Sequence, residues 1–329
     1  MKINYRWGLG AFAGIFVLFY ALAVYWSFEP DIKEANQLVA EQTMKTGEEY
    51  VVGYTTTSML IHISETLLDK PGGFLSNDIM LPGVVMDNMP SWEFGALEMI
   101  RDMAVTMRND FSRSQSQSVE NTQLKMAQPA FNIDHLSLIM PSAESEYRKA
   151  IKLLYVYRKD MADSKVSETQ FYARADNLAD WLKKAEKRLG SLSQRLSASV
   201  GQERLDTDMA GEISPGSQAT PTPNSKQLKT SWWQLDNVFY ESRGSCWALL
   251  HMLKAIELDF KGILEKKNAT VSLRQIIREL ETTQQTIWSP IILNGNGFGL
   301  VANHSLVMAN YVSRANAAII DLRDLLNKG

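Results

Sequence analysis

The sequence contains very few of the residues from which disulfides and metal sites are built. Among its 329 residues there is a single cysteine, Cys246, so no disulfide can form within the chain. The four histidines lie far apart, and none has another histidine or a cysteine at the spacing of a zinc motif. We therefore expect no metal site and no cofactor, and the fold has to be held together by packing.

The sequence also lacks an excess of charge of one sign. Its 34 lysines and arginines are balanced by 37 aspartates and glutamates, which gives a formal net charge of -3. A protein that gathers phosphates along an extended surface needs a positive field, so nucleic-acid binding is disfavoured. Hydrophobic residues make up 45% of the chain, which is enough for a folded core in one large or two medium domains.

Strand-like segments are missing as well, because no stretch of convincing length alternates between apolar and polar residues. Apolar residues instead recur at three- and four-residue intervals, which is the period of an amphipathic helix. The ranges with this pattern are 31–69, 91–111, 142–162, 171–196, 232–264, 272–289 and 311–322. The sequence therefore predicts an all-α protein with a helical-bundle-like domain.

One segment near the start is long and free of charge. Residues 8–28 are GLGAFAGIFVLFYALAVYWSF, twenty-one residues without an acidic or basic side chain. At a rise of about 1.5 Å per residue, a helix of this length crosses the hydrocarbon layer of about 30 Å. Tyr25 and Trp26 lie near one end, as expected for aromatic rings in a headgroup layer. The segment therefore predicts a single transmembrane helix that contacts the lipid bilayer.

The basic residues around this segment predict its orientation. Lys2 and Arg6 precede it, whereas Lys33 is the only basic residue shortly after it, and basic residues favour the cytoplasmic side. We therefore expect residues 1–7 in the cytoplasm and the chain from residue 29 onward in the periplasm, anchored in a bacterial inner membrane.

A cleaved signal peptide is the alternative for the same segment. Residues 21–23 are Ala-Leu-Ala, which matches the small-residue pattern of a cleavage site after an apolar stretch. The apolar run continues to Phe28, where a mature N-terminus would usually turn polar, and this favours the anchor. Both interpretations export the domain, and they differ in whether it stays tethered.

The rest of the chain divides into three predicted parts. Residues 29–199 form a helical periplasmic region that contains an irregular loop at 70–90. Residues 200–230 lose the apolar pattern and gain proline, glycine, serine and threonine, which predicts a flexible linker. Residues 231–329 form a C-terminal helical region that packs on the first.

The cleanest helical periodicity lies between Phe171 and Leu196. Apolar residues there alternate steps of four and three over more than three heptads, which is typical of a coiled-coil seam. The seam predicts a partner along the whole helix. A helix of the same chain is the favoured partner, and another chain is the alternative.

The loop at 70–90 is the place where binding residues are expected. It contains three prolines and several glycines, so it cannot be a regular element, yet its many apolar residues suggest that it packs on the helices. Irregular loops fixed on helices often carry binding residues. The candidates to line a groove are Asp78, Asp87, Asn88, Trp92, Glu93 and Arg101. A loop that only packs is the favoured alternative, and no catalytic set can be identified.

Several strings in the sequence resemble one family. They are LDKPGGFLSND at 68–78, LPG at 81–83, DNMP at 87–90, WEFG at 92–95, RSQSQS at 113–118 and PSAESEYR at 141–148. Together they resemble the proteobacterial membrane-protein family catalogued as domain of unknown function 2333, over most of the chain. The resemblance implies an envelope setting and a helical exported domain, and it supplies no catalytic residues.

Two functions are compatible with these features. The first is a non-enzymatic scaffold or assembly factor that binds another envelope protein, or a second copy of itself, and it is suggested by the anchor, the seam and the missing catalytic set. The second is a ligand sensor or an envelope enzyme that acts on cell-wall or lipid material through the loop at 72–93.

Overall fold

The protein is described here by a computed structural model that covers residues 5–113, 120–166, 169–205, 225–289, 291–296 and 299–328. Within these ranges the chain forms eleven α-helices, which confirms the predicted all-α class. They are α1 (Tyr5–Trp26), α2 (Ala35–Thr46), α3 (Tyr54–Asp69), α4 (Asn88–Thr106), α5 (Thr122–Phe131), α6 (Ala143–Ala162), α7 (Ala175–Ser197), α8 (Leu235–Asp259), α9 (Lys261–Lys266), α10 (Thr270–Thr283) and α11 (His304–Asn327).

Helix α1 contains the predicted membrane segment. Its window Leu9–Trp26 has a mean hydropathy of 2.0, and none of it is buried inside the protein. Among the described helices it is the one that is long and apolar enough to cross a membrane, although a signal sequence has the same properties.

The helix expected over 31–69 is in fact two helices, α2 and α3. Gly47 ends α2 with a φ of 69°, and its N–H donates to the carbonyl of Thr43. Gly53 precedes α3 with a φ of 94°, and the ring of Phe171 occupies the space of its missing side chain. Both glycines adopt the left-handed conformation that other residues avoid, so the helix cannot continue through them.

Helices α4 and α8 form the centre of the bundle and run parallel. Gly95 and Gly244 allow their backbones to touch: a Cβ on Gly244 would overlap the carbonyl of Trp92, and one on Gly95 would overlap the carbonyl of Glu241. The hydroxyl of Ser245 donates to the carbonyl of Gly95 across this contact, at 3.1 Å. The two glycines therefore fix how closely the central helices approach.

The predicted apolar seam is buried inside the chain. Helix α7 packs antiparallel on α11, with Arg323 paired to Glu186 near one end and the hydroxyl of Ser193 donating to the carbonyl of Ala309 near the other. The seam residues Leu178, Leu182, Ala185, Leu189, Leu192 and Leu196 are all buried. The partner of the seam is thus a helix of the same chain, as favoured from the sequence.

The described part of the predicted linker contains a short ribbon that the sequence analysis did not predict. Strand β1 (Gln202–Leu205) pairs antiparallel with β2 (Ser225–Leu228). Residues 206–224 of this linker lie outside the described residues.

The helices end at two opposite faces of the bundle. At the first, here called the anchored end, Glu29 after α1 pairs with Arg243 near the start of α8. At the second, the far end, the backbone N–H of Thr56 at the start of α3 donates to Asp259 at the end of α8. Chain direction then assigns the described residues of the segments 70–87, 132–142, 198–234 and 284–303 to the anchored end.

Candidate functional site

The connections at the anchored end carry many exposed apolar side chains. They come from three segments: the α3–α4 connection, the α5–α6 connection and the segment between α10 and α11. We call this set the apolar rim, and it consists of Ile79, Met80, Leu81, Val84, Val85, Leu136, Leu138, Ile139, Met140, Trp288, Leu300 and Val301. Met140 is 91% exposed and Trp288 is 92% exposed, so these side chains do not contribute to the core.

A buried ion pair holds the first of these connections in place. The ammonium group of Lys70 lies 2.5 Å from Glu93, and neither side chain is exposed by more than 1%. The same carboxylate accepts hydrogen bonds from the N–H of Leu75 and from both the N–H and the hydroxyl of Ser76. Burial raises the pKa of the Glu93 carboxyl, whereas Lys70 and these donors lower it. Glu93 therefore fastens the loop to α4.

A second group of contacts fastens α1 to the domain. The guanidinium of Arg243 donates two hydrogen bonds to Glu29 and two more to the carbonyls of Thr283 and Gln285. Arg243 is only 5% exposed, so the pair is shielded from water. The segment that follows α1 is thus held against the core of the domain and is not a free linker.

The residues that follow Glu29 also contact the domain. The N–H of Lys33 donates to Nε2 of His251, whose Nδ1 is 2.8 Å from the carbonyl of Trp247. Because Nε2 accepts, the proton is on Nδ1 and the ring is neutral. Burial lowers the pKa of His251 to about 4, which fits this neutral form.

Four of the six predicted binding residues have structural roles. Asp78 accepts from the N–H of Met80 in a local turn. Trp92 is fully buried, 5.0 Å from the ring of Trp247. Glu93 holds the loop as described above.

Arg101 is the fourth of these residues, and it too is engaged within the protein. Its Nε donates to the carbonyl of Phe131 and its Nη2 to that of Ile133, while Nη1 pairs with Glu98. These contacts connect α4 to the end of α5. The side chain therefore supports the α5–α6 connection.

The remaining two predicted residues do share a hollow. Asp87 and Asn88 line a space of about 280 Å³ that we call the aspartate–tryptophan hollow. Its other lining residues are Trp232, Trp233, Leu235, Asp236, Tyr240, Ile291, Ile292 and Asn294. Burial raises the pKa of Asp236, and the nearby charge of Asp87 raises it further. The hollow thus combines paired carboxylates, amides and aromatic faces.

Sequence analysis missed the tryptophans and Asp236 because they are far from the loop in the chain. The signal that was available is the pair Trp232-Trp233, two large rings at the start of a helix where polar residues are usual. Both rings are mostly exposed. The folded chain brings them to the predicted loop through the parallel packing of α4 and α8.

Two further hollows open at the same end. One of about 390 Å³ is lined by Phe239, Arg243, Trp288, His304 and Tyr311, among others. The other, of about 410 Å³, lies between the residues that follow α1 and Tyr240 of α8. All three hollows therefore lie near the point where α1 meets the domain.

Among the described residues at this end, no reactive cysteine and no metal-binding group is found. Burial raises the pKa of the Cys246 thiol to about 12, so the thiol stays protonated and unreactive near neutral pH. In the part of the chain that the structure describes, no three His, Cys, Asp or Glu side chains are grouped so as to hold a metal ion.

Comparison with known protein families identifies the relationship of the chain. The model of domain of unknown function 2333, described as "Uncharacterized protein conserved in bacteria", matches residues 2–329. The chain belongs to this family. The match extends from the start of α1 through α11, so α1 and the domain are parts of one family unit. No curated protein and no solved structure matches the chain.

Proposed function

We propose that this family member is a single-pass protein of the bacterial inner membrane, whose periplasmic helical domain binds another envelope protein as a scaffold or assembly factor. The observation that carries this proposal is the fixed joint between α1 and the domain. Arg243 binds both Glu29 and two carbonyls at the end of α10, so the domain is held close to the end of α1. A domain mounted in this way is suited to present a surface at a constant height above a membrane.

The contacts that the charged candidate residues make within the protein also support a scaffold. Glu93 would be the natural acid of an active site in this loop, but it is fully buried and paired with Lys70. Arg101 is likewise bound to carbonyls and to Glu98. Side chains engaged in this way stabilise the loop and are not free to act on a substrate.

Two measurements test the proposal in order. Alkaline phosphatase fused to the C-terminus is expected to be active, because this enzyme needs the periplasm; activity only in a cytosolic reporter would contradict the orientation. Photo-crosslinking in cells from Ile320, on an exposed face of α11, is then expected to capture one reproducible envelope protein at native levels. A chain that stays solitary would contradict the scaffold.

A variant at the joint provides the matched control. Glu29→Ala removes the carboxylate that binds Arg243, and we expect the chain to stay in the membrane while capture of the partner falls. The exposed pair of Arg148 and Asp69 lies at the same end, and Asp69→Ala there should leave capture unchanged. Equal capture by all three proteins would show that the joint has no part in binding.

The aspartate–tryptophan hollow favours a second candidate, a sensor for cell-wall material. Flat aromatic faces together with carboxylate and amide acceptors suit a polyhydroxylated ligand such as a glycan strand. Calorimetry of the full chain in detergent with N-acetylglucosamine oligomers tests this directly. Binding that is lost in Asp87→Asn with Trp233→Ala, at unchanged thermal stability, supports the sensor; no binding by the parent excludes this glycan.

A further inference from the structure

We propose that the apolar rim lies in the lipid headgroup layer, so that the anchored end of the domain contacts the bilayer directly, in addition to α1. The inference rests on the proposed function, since it requires that α1 spans a membrane. It adds a second lipid contact, made by connections of the folded domain and not by the anchor.

The exposure of the rim is the first step of the argument. Connections in a water-soluble domain usually carry polar side chains, and a contiguous exposed apolar patch marks a surface that is covered in use. In the α5–α6 connection, the exposed Leu138, Ile139 and Met140 follow one another. In the α3–α4 connection, Ile79, Met80 and Leu81 do the same. Such runs are unfavourable in water unless something covers them.

The level of the rim relative to α1 is the second step. Trp26, in the last turn of α1, packs on Gly72 of the α3–α4 connection, where a Cβ on the glycine would lie 2.7 Å from the indole. Tryptophan at the end of a transmembrane helix sits at the headgroup level. The connection is therefore beside the last turn of α1, at the level where headgroups lie. The α5–α6 connection is joined to it, because the side-chain amide of Asn77 donates to the carbonyl of Ser137.

The contrast with the far end is the third step. There the described connections expose only Tyr50 and Val52 among large apolar side chains, and both are about half exposed. Aromatic rings turn inward instead, with Phe111 packed 5.0 Å from Phe171 and 5.3 Å from Phe260. Exposed apolar connections are thus concentrated at the end that α1 enters, which favours lipid as the occupant.

The charges at this end determine which kind of lipid contact is expected. Asp31, Asp87 and Asp134 are exposed carboxylates near the rim, and they give no attraction to an anionic surface. The contact must therefore come from insertion of apolar side chains, as in interfacial proteins, and vesicles of phosphatidylcholine, which has no net charge, should be sufficient.

The single cysteine of the chain makes the test direct. Cys246 is buried with a raised pKa, so it does not react with a thiol-specific dye in the folded protein. Full-length variants with one added cysteine at the rim, Met140→Cys or Val85→Cys, are labelled with a polarity-sensitive fluorophore. Val271→Cys, which is 78% exposed near the far end, is the matched control. Each variant must keep the thermal stability of the parent.

The labelled proteins are placed in phosphatidylcholine vesicles that contain brominated lipid, which quenches fluorophores within the bilayer. We expect both rim probes to shift to shorter wavelength and to be quenched, while the Val271 probe stays in water. Rim probes that remain as unquenched as the Val271 probe overturn the inference. Rim probes that are shielded without lipid quenching also overturn it, because a second copy of the chain then covers the rim.

A probe in α1 separates this result from the proposed function. Phe16→Cys lies in the middle of the apolar helix, and its fluorophore should be quenched by bromine near the bilayer centre. Quenching at Phe16 without quenching at the rim rejects the rim contact and keeps the anchor. An unquenched Phe16 probe rejects the anchor itself.

Discussion

The connections between the helices differ at the two ends of the bundle, the anchored end and the far end. At the far end, Phe111, Phe171 and Phe260 form an aromatic cluster over the core, and the described connections expose few large apolar side chains. At the anchored end the connections expose the apolar rim. The difference shows that the helices do not dictate how their ends are covered.

Both ends nevertheless use a buried carboxylate to hold a connection. Glu93 binds the backbone of the α3–α4 connection and is neutralised by Lys70. Asp259 accepts from the N–H and the hydroxyl of Thr56, and so caps the start of α3 without a buried cation. The predictions below test how far this parallel extends.

Removing the charge at each end is expected to have the largest effect on stability. Glu93→Gln leaves the ammonium of Lys70 buried without its partner, which should lower the free energy of unfolding by about 4 kcal/mol. Asp259→Asn leaves no such cation, and should cost about 2 kcal/mol through weaker hydrogen bonds to Thr56. Chemical denaturation in detergent measures both. Equal losses would mean that Lys70 contributes nothing to the difference.

Glycine substitutions compare one close helix contact in the anchored half with an open position at the far end. Gly244→Ala places a methyl group on the carbonyl of Trp92, so the α4–α8 contact must open, at a cost of about 3 kcal/mol. Gly262 of α9, at the far end, has no atom near its missing Cβ, and Gly262→Ala should stabilise that helix by up to about 1 kcal/mol. Thermal unfolding of both variants is the measurement, and a stable Gly244→Ala protein would refute the close contact.

Acid is expected to loosen the joint to the anchor. Burial, together with the nearby His62 and Lys254, lowers the pKa of His251 to about 4, so below pH 6.5 the unfolded chain binds a proton that the folded protein does not. Stability from this group is complete above pH 6.5 and is lost towards pH 4, by about 3 kcal/mol in total.

Hydrogen exchange checks this prediction by region. At pH 4 to 5, exchange should rise around Lys33 before it rises around Thr56 at the far end. His251→Gln should flatten the pH dependence of unfolding, because its amide oxygen still accepts from Lys33 without titrating. A pH profile that is unchanged by this substitution would assign the effect to other groups.

Polar substitutions on exposed apolar residues are expected to have the smallest effect. Met140→Gln in the rim and Val271→Gln near the far end should each change the unfolding free energy in detergent by less than about 0.5 kcal/mol. Both side chains are largely exposed and contribute little packing. A large loss at Met140 would instead assign the rim a role in folding.

Much of the secondary structure follows from local patterns. The stripe from Leu178 to Leu196 predicted a long helix buried along one face, and α7 is that helix. The break between α2 and α3 was missed because Gly47 and Gly53 lie within a segment whose apolar pattern continues on both sides. A glycine alone does not end a helix. Here the ring of Phe171 occupies the space that a side chain at Gly53 would need, so a residue without a side chain is required there.

The candidate site was predicted only in part. Its loop was recognised from prolines, glycines and apolar residues, and Asp87 and Asn88 do line a hollow. Glu93 was predicted to be a binding residue because it is close to the loop. Its structural role was missed, because its pairing with Lys70 has no signature in the sequence. Trp233 and Asp236 were not connected to the loop, because no local pattern indicates which helices pack in parallel.

The sequence by itself determined the apolar helix, the all-α class and the buried face of each long helix. These properties follow from composition and from a period of 3.6 residues, and both are local. Tertiary structure alone decided that Gly95 meets Gly244, that Arg243 holds the segment after α1, and that separate connections form one apolar rim. Such contacts join residues as far as 214 positions apart, as between Glu29 and Arg243, and packing of the whole chain selects them.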